Sequence, residues 1–552
     1  MKSDIKKDFI AGLTVGVVAI PLGMAFAIAS GVKPEYGLYT TIIAGFLVGL
    51  FGGSRFQVAG PTGAFIPILL AIVLQYGYED LLIAGFLAGL MLMVMGFLKV
   101  GNLIKYIPRS VTIGFTAGIA VIIFSGQIGN FLGLKGMEEK EYFHENMIQI
   151  FYNLPSLNVY SVIIALMSLS IVIYLPKLYP HIPSLLVAIV VPTIIAMIFF
   201  SGKLATIGTE FGGIAQTLPG IKIPKITWEK ILYLWQPAFV IAMLGGIESL
   251  LSAVVADGMT GKRHHSNREL VGQGIANIVT PLFGGIPATG AIARTATNIR
   301  AGAISPLSAI FQSGFVLLTL LLFAPFASYV PLASLAPILM VVAFNMSEHK
   351  SFWQILKLKS SDSLVLIVTF LLTVFVNLTV AVPIGLGLAM ISFIKRMSEV
   401  LQVRKIVPNG RLINENNAQC PQIMSYTIHG PLFFGAADRF ESMITRLINE
   451  RPKVLILKMR HVSLIDVTGE ANLASLILDY QNKDGTVLIS ELADGPLEML
   501  EMSGLSVVVG PDHFFSSTTD AINYALTLID TNNCKWCTKN GYNQCQTFQR
   551  IS

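Results

Sequence analysis

The chain has 552 residues, 53% of them hydrophobic and only 13% charged, with a formal net charge of +6. Soluble domains carry about a quarter charged residues, so a soluble globule is excluded. Lysine and arginine gather in particular loops, which gives a nucleic-acid partner no support.

Apolar segments fill the chain from Phe9 to Lys395, and fourteen are read as spans, some of them short. They lie near 9–30, 36–52, 62–76, 80–98, 110–133, 159–175, 183–200, 237–257, 268–284, 289–301, 306–327, 331–346, 363–378 and 381–395. The first follows Lys2, Lys6 and Lys7 and mimics a signal peptide, but it outruns a signal h-region and more spans follow, so it reads as a retained helix. Those lysines keep the N-terminus inside. The loops that then face the cytoplasm hold Lys99, Lys105 and Arg109, "GKRHHSNRE", and "SEHKSFWQILKLKS". The outer loop "LKGMEEKEYFHEN" is acidic on balance, and fourteen crossings return the C-terminus to the cytoplasm.

From about Met397 the texture changes. "KVLILKM" and "TVLISEL" have the length of buried strands and "GAADRFESMITRLINE" reads as a helix, so an α/β cytosolic domain is expected. The expected organisation is a transmembrane domain over 1–397 (repeats about 9–200 and 231–397), a basic linker over 398–418, an α/β domain over 419–530 and a tail over 531–552. All four cysteines follow the apolar part. Cys534, Cys537 and Cys545 in the tail have no histidine beside them, so free cytosolic thiols are expected rather than a metal site or a disulfide framework.

One pattern occurs twice. Leu-Phe-Gly-Gly starts at Leu50 and at Leu282, and each copy is followed by a short proline-containing connector and Thr-Gly-Ala, at Thr62 and at Thr289. Segments 62–76 and 289–301 would reach only about 20–23 Å as α-helices, short of the hydrocarbon core. They stand third in two successive sets of seven, and an odd number of crossings per set inverts the second set relative to the first. Matched short helices in inverted repeats point to a transporter site. Their N-termini would meet near the midplane and present N–H donors and positive dipole ends to one spot, which suits an anion.

Individual residues sharpen that reading. Glu248 is a carboxyl deep in an apolar span and is read as a reversible proton carrier; a structural carboxyl, or a sodium site with Ser252 one turn away, are the competing readings. Arg294 either counters an anion or pairs with Glu248, while Arg300 reads as an interface anchor. Thr62, Gly63 and Ala64, with Thr289, Gly290, Ala291 and Ile292, open the two short helices, the threonines as N-caps, substrate contacts or both. Pro21 kinks the first span near the site. No metal-ligand cluster or nucleophile–base pair of recognised spacing favours an enzyme or a cofactor.

"PEYGLYTTIIAGFLVGLFGGSR" resembles the signature of the sulfate permease (SulP), or solute carrier 26, anion transporters in Pro34 to Tyr39 and Gly53 to Arg55. "PATGAIARTATNIRAGAISPLSAI" resembles a second family segment, and the C-terminal domain resembles the STAS domain these transporters carry. The resemblance implies a polytopic α-helical membrane protein with a 7+7 inverted repeat shared with uracil-permease-like carriers. Segments one to four and eight to eleven would form a core, and the others a gate. It further implies elevator-type alternating access, a homodimer in the plasma membrane, and Glu248 facing the site. Ala291 and Ala293 depart from it, since the family commonly has two serines there. Thr468, with Asp466 as the acid, matches a position phosphorylated in related antagonists, and phosphate at a helix N-terminus would be favourable; a plain helix cap is the simpler reading. A cytosolic regulatory partner would act there. The expected function is a secondary carrier of sulfate, bicarbonate or a dicarboxylate, coupled to protons in preference to sodium. An uncoupled exchanger or channel, and a membrane sensor signalling through the STAS domain, are the alternatives.

Overall fold

The computed structural model describes residues 2–104, 107–138, 140, 142–179, 182–214, 216, 220–221, 224–405, 420, 422–437, 439–440, 442 and 452–530. Their contacts divide the chain into two units, Met1–Ala389 and Met390–Ser552.

Each of the fourteen expected segments contains a helix. The first seven are α1 (Lys2–Ala29), α2 (Pro34–Phe51), α3 (Ile66–Tyr76), α4 (Tyr78–Phe97), α5 (Arg109–Gly126), α6 (Val159–Leu178) and α7 (Ser184–Phe199). The second seven are α8 (Trp228–Thr260), α9 (Ser266–Leu282), α10 (Ile292–Arg300), α11 (Leu307–Ala327), α12 (Leu332–Met346), α13 (Ser361–Phe375) and α14 (Leu378–Val400). Among the described residues nine helices are long and apolar enough to cross a bilayer. Helix α8 outruns its expected bounds at both ends and passes through Pro237; its start is capped by Thr227, whose hydroxyl accepts from the Lys230 N–H at 3.3 Å. The loop containing "HKSFWQILK" holds an amphipathic helix, His349–Lys357, with Trp353 exposed beside its lysines, the pattern of a segment lying in the membrane interface.

Packing repeats between the halves. Helix α4 packs on α8 and α9, and its counterpart α11 packs on α1 and α2; likewise α5 pairs with α13, and α12 with α6. Without a hydrophobic drive between helices in lipid, close approach depends on small residues. The α4–α9 crossing shows this: a Cβ on Gly274 would lie 2.8 Å from both the Gly89 carbonyl and the Met93 amide. The connections into α8 and α12 are joined by backbone bonds, Ile207 N–H to Val330 O at 3.0 Å, Gly208 N–H to Ser328 O at 2.8 Å and Leu332 N–H to Ala205 O at 3.0 Å.

Two very short strands, β1 (Ala59–Gly60) and β2 (Thr289–Gly290), precede α3 and α10. The sequence reading placed Thr289 and Gly290 in the short helix itself; they are extended, and the helix starts at Ile292.

In the second unit a five-stranded sheet has the order β3 (Gln402–Lys405), β4 (Ile423–His429), β5 (Val454–His461), β6 (Thr486–Ser490) and β7 (Phe514–Phe515). Only the β3–β4 pair is antiparallel. Helices α15 (Val467–Gln481), α16 (Asp494–Met502) and α17 (Thr518–Leu528) flank the sheet, with a short helix, Leu505–Val509, between the last two. "VLIL" is continuously apolar because both faces of β5 are covered. Leu455, Leu457 and Met459 pack with Leu473, Leu476 and Ile477 of α15, while Val454 and Ile456 pack with Ala521 and Ala525 of α17. Gln402–Lys405, read from sequence as linker, is a strand of this sheet. The start of the linker, 398–400, continues α14, whereas its residues 406–418, most of "GAADRFESMITRLINE", and Cys534, Cys537 and Cys545 lie outside the described residues.

Candidate functional site

The site is built on the crossing of β1 and β2. Pro61 and Pro287 lack the N–H a helix needs, so both approaches stay extended and meet antiparallel, Ala59 opposite Gly290 and Gly60 opposite Thr289. Ala291 N–H donates to the Val58 carbonyl at 2.9 Å and extends the pairing. In this way non-helical backbone satisfies itself at membrane depth.

Helix α8 lies against the crossing and is bonded to it. Thr289 Oγ1 donates to the Gly245 carbonyl at 3.1 Å, so the hydroxyl of Ser249, 2.8 Å away, supplies the proton between the two. Ser249 Oγ in turn accepts from the Gly290 N–H at 3.0 Å, and Gln57 Nε2 donates to the Ser249 carbonyl at 3.0 Å. A Cβ on Gly290 would overlap Gln57 Nε2 and lie 3.2 Å from Ser249 Cα, so only glycine fits. Buried carboxylates pin the flanking loops. Glu269 accepts from the Gly53 and Ser54 amides at 2.8 and 3.1 Å, and Asp8 accepts from the Ile304 and Ser305 amides at 2.7 and 3.0 Å. The Gly-Ser of the first signature is therefore a carboxylate-binding turn.

Around this frame the expected site residues take up distinct positions. Glu248 is partly accessible, and its Oε2 accepts from the Thr62 hydroxyl at 2.9 Å. Thr62 thus caps no helix; it ties the first short helix to α8. Thr289 does not cap either, since its hydroxyl is turned to α8. Neither short helix has a side-chain cap: ahead of α3 a 3-10 turn, Gly63–Phe65, bonds the Phe65 and Ile66 amides to the Thr62 and Gly63 carbonyls and leaves the Gly63 and Ala64 amides without a partner inside the helix. The donors expected from Gly290 and Ala291 are engaged internally, so in the second helix the open amides begin at Ile292 and Ala293, both exposed. Gly63 and Ala64 are buried, and a Cβ on Gly63 would lie 3.3 Å from Ile123 of α5 and 3.6 Å from Met346 of α12 and Phe26 of α1. The first short helix therefore faces both helix sets.

Arg294 is 1% exposed. Its Nη2 donates to the Pro61 carbonyl at 3.1 Å, while Nε and Nη1 have no partner. Among the described residues no ion pair joins it to Glu248, so the pairing read from sequence is not formed. Ser252 is fully buried and donates to Thr295 Oγ1 at 3.2 Å, which also accepts from the Val58 N–H at 3.1 Å. It serves the crossing and not Glu248. Helix α1 runs unbroken through the buried Pro21. Sequence reasoning missed Gln57, Ser249 and Thr295; the signal was a polar side chain inside or beside an apolar segment, which alone says nothing of its partner.

In the second unit Asp466 is the N-cap of α15. Its Oδ1 accepts from the Gly469 N–H at 2.8 Å and its Oδ2 from the Phe434 N–H at 2.9 Å. Thr468, read as the cap if unmodified, is an exposed residue of the first turn instead. Asp466→Ala removes both bonds, a loss of about 1 kcal/mol at a helix cap. Hydrogen exchange in the full-length protein should be roughly five- to tenfold faster at Gly469 and Phe434; unchanged rates would show that the cap contributes no local stability.

Residues 5–369 match the family described as Sulfate permease family, and residues 416–521 match the STAS domain. YvdB of Bacillus subtilis (strain 168), which bears a provisional sulfate-transporter name, is 51% identical over 510 residues, 92% of this chain and 96% of that one. The bicarbonate transporter BicA of Synechocystis sp. is 31% identical over 555 residues, 95% of each. The solved structure of SLC26A9 superimposes with a TM-score of 0.84 at 20% identity, covering 97% of this chain and 92% of that one, which shows a shared fold. With its fourteen helices in two inverted sets and its C-terminal STAS domain, the chain belongs to the sulfate permease family as a multi-pass membrane protein.

Proposed function

We propose that the protein is a secondary carrier of a small oxyanion or carboxylate, held at the uncapped starts of α3 and α10 and driven by protons through Glu248. The observation that carries this reading is a fully buried guanidinium, Arg294, with two nitrogens, Nε and Nη1, unpartnered at the meeting point of two helix N-termini. Three sources of positive potential then converge with no carboxylate among the described residues paired to the arginine, and a transported anion balances them. The cargo is drawn from the sulfate, bicarbonate and dicarboxylate class, in line with the sulfate and bicarbonate names of relatives. Ala291 and Ala293 offer no hydroxyl, so charge is read here more than shape.

Glu248 has a hydroxyl as its hydrogen-bond partner and Ser252 is turned to Thr295, which favours a proton over a many-oxygen sodium site. Strands β1 and β2 tie both short helices to the set α1–α4 and α8–α11, so these would move as one body against the gate, as elevator transport in a homodimer requires. The termini face the cytoplasm of the plasma membrane by the distribution of basic loops, and the STAS domain receives the regulatory partner, with Thr468 as the modifiable position. Uptake of labelled sulfate, bicarbonate and fumarate into reconstituted vesicles, with proton and sodium gradients imposed separately, tests the reading. Uptake of at least one anion should rise with an inward proton gradient and ignore sodium. Uptake indifferent to both gradients would replace coupling by uncoupled exchange.

A further inference from the structure

The connection between α12 and α13 carries a helix of its own, His349–Lys357, whose two faces differ in kind. Phe352, Ile355 and Leu356 are half-buried, and the Phe352 ring meets Phe370 of α13 edge-on at 5.4 Å. His349, Lys350, Trp353, Gln354 and Lys357 are exposed, and their spacing puts them together on the opposite face.

That exposed face continues the flank of α12 that points away from the core. Met346 of α12 approaches Gly63 of the first short helix, and Phe344, two residues earlier, lies about 200° round the helix from it. Phe344 is exposed, so in a membrane span its surroundings are lipid. Its ring stacks on His349 at 4.7 Å, so the extra helix leaves α12 on this same side. Charge then separates lipid headgroups from plain hydrocarbon. Between His349 and Lys359 the chain has three lysines, Lys350, Lys357 and Lys359, all exposed, and no carboxylate. The acid just before them, Glu348, lies 3.5 Å from Arg109 of α5 and is answered there. Trp353 sits between Lys350 and Lys357, and an indole flanked by ammonium groups suits the layer where acyl chains meet phosphates.

We propose that the helix His349–Lys357 is a docking surface for anionic phospholipid headgroups of the cytoplasmic leaflet, which anchors the gate helices α12 and α13 in the bilayer. This rests on the membrane topology given above and on neither the cargo nor its coupling. The test uses full-length protein in which Trp353 is the sole tryptophan (Trp228→Phe, Trp235→Phe and Trp536→Phe). It is reconstituted in phosphatidylcholine vesicles with phosphatidylglycerol as a minor component. Bromine is placed on the acyl chains of one lipid or of the other, and quenching of Trp353 reads which of them lies against it.

Phosphatidylglycerol should be enriched at Trp353 about fivefold or more over its share of the vesicle, the factor a single lysine gives at an anionic surface. The preference should fade in about 1 M salt, where screening acts within about 3 Å. It should vanish when Lys350→Gln, Lys357→Gln and Lys359→Gln are combined, and persist in the matching arginine triple, which keeps the charge. Quenching in proportion to lipid composition overturns the proposal, as does a preference that outlives the glutamine triple. Quenching by neither lipid also overturns it and leaves the face to an acidic cytosolic partner. If the glutamine triple does not fold, the two lipids and the salt series on the parent protein decide alone. Every arm reads binding, so a protein that moves no anion still gives the answer.

Discussion

Glutamine at position 248 is expected to leave the protein folded and to abolish its proton-driven accumulation of anion. The amide keeps the size of the carboxyl, and its carbonyl can still accept from Thr62 Oγ1, the bond that joins the first short helix to α8. What is lost is a group that takes up and releases a proton. With one proton per anion, a pH gradient of one unit supports about tenfold accumulation, since a unit is about 1.4 kcal/mol. In Glu248→Gln that ratio should collapse to the outside concentration while anion exchange between loaded and external pools continues. Undiminished concentrative uptake would end the carrier role of Glu248, and loss of exchange as well would show that the carboxyl serves binding.

Alanine at position 290 should be far more damaging to the fold than alanine at position 63, although each glycine is the middle residue of a Thr-Gly-Ala copy. At Gly290 the methyl meets Gln57 Nε2 and the α8 backbone at Ser249. Gln57 can move only by giving up its bond to the Ser249 carbonyl. Overpacking and a stranded buried amide together cost about 2–5 kcal/mol. At Gly63 the nearest atom is the tip of Ile123 at 3.3 Å, which can shift, so the cost should stay under about 1 kcal/mol. Thermal unfolding of the two variants side by side checks this. Equal midpoints would show that the crossing is looser than its distances.

The helices were legible because a membrane span needs a long apolar run, and the inversion because the repeated motif falls third in each set of seven. Strands of two residues have no period to detect. Their pairing depends on a partner in the other repeat, so β2 was read as a helix opening and β1 as part of the connector before Thr62. The same distance hid the hydroxyl roles. Thr62 and Thr289 have the composition of N-caps, but a carboxyl and a serine on α8 outcompete the local amides, and no local pattern encodes them. Glu248 and Arg294 stood out because charge in an apolar segment is costly, whereas Gln57, Ser249 and Thr295 are neutral and drew no notice. In the second unit β3 looked like a basic linker because an edge strand of four residues can be half solvated, with Gln402 and Arg404 exposed.

The pairing of Ala59 and Gly60 with Thr289 and Gly290 sets an order for biosynthesis. A ribosome delivers the first pair to the bilayer long before it has made the second, and lipid offers no substitute for the missing amides and carbonyls. The nascent chain must keep its earliest motif hydrated or chaperoned until the tenth helix arrives. The centre of this protein is therefore completed late, and a product truncated between the repeats would be left with an edge it has no means of closing.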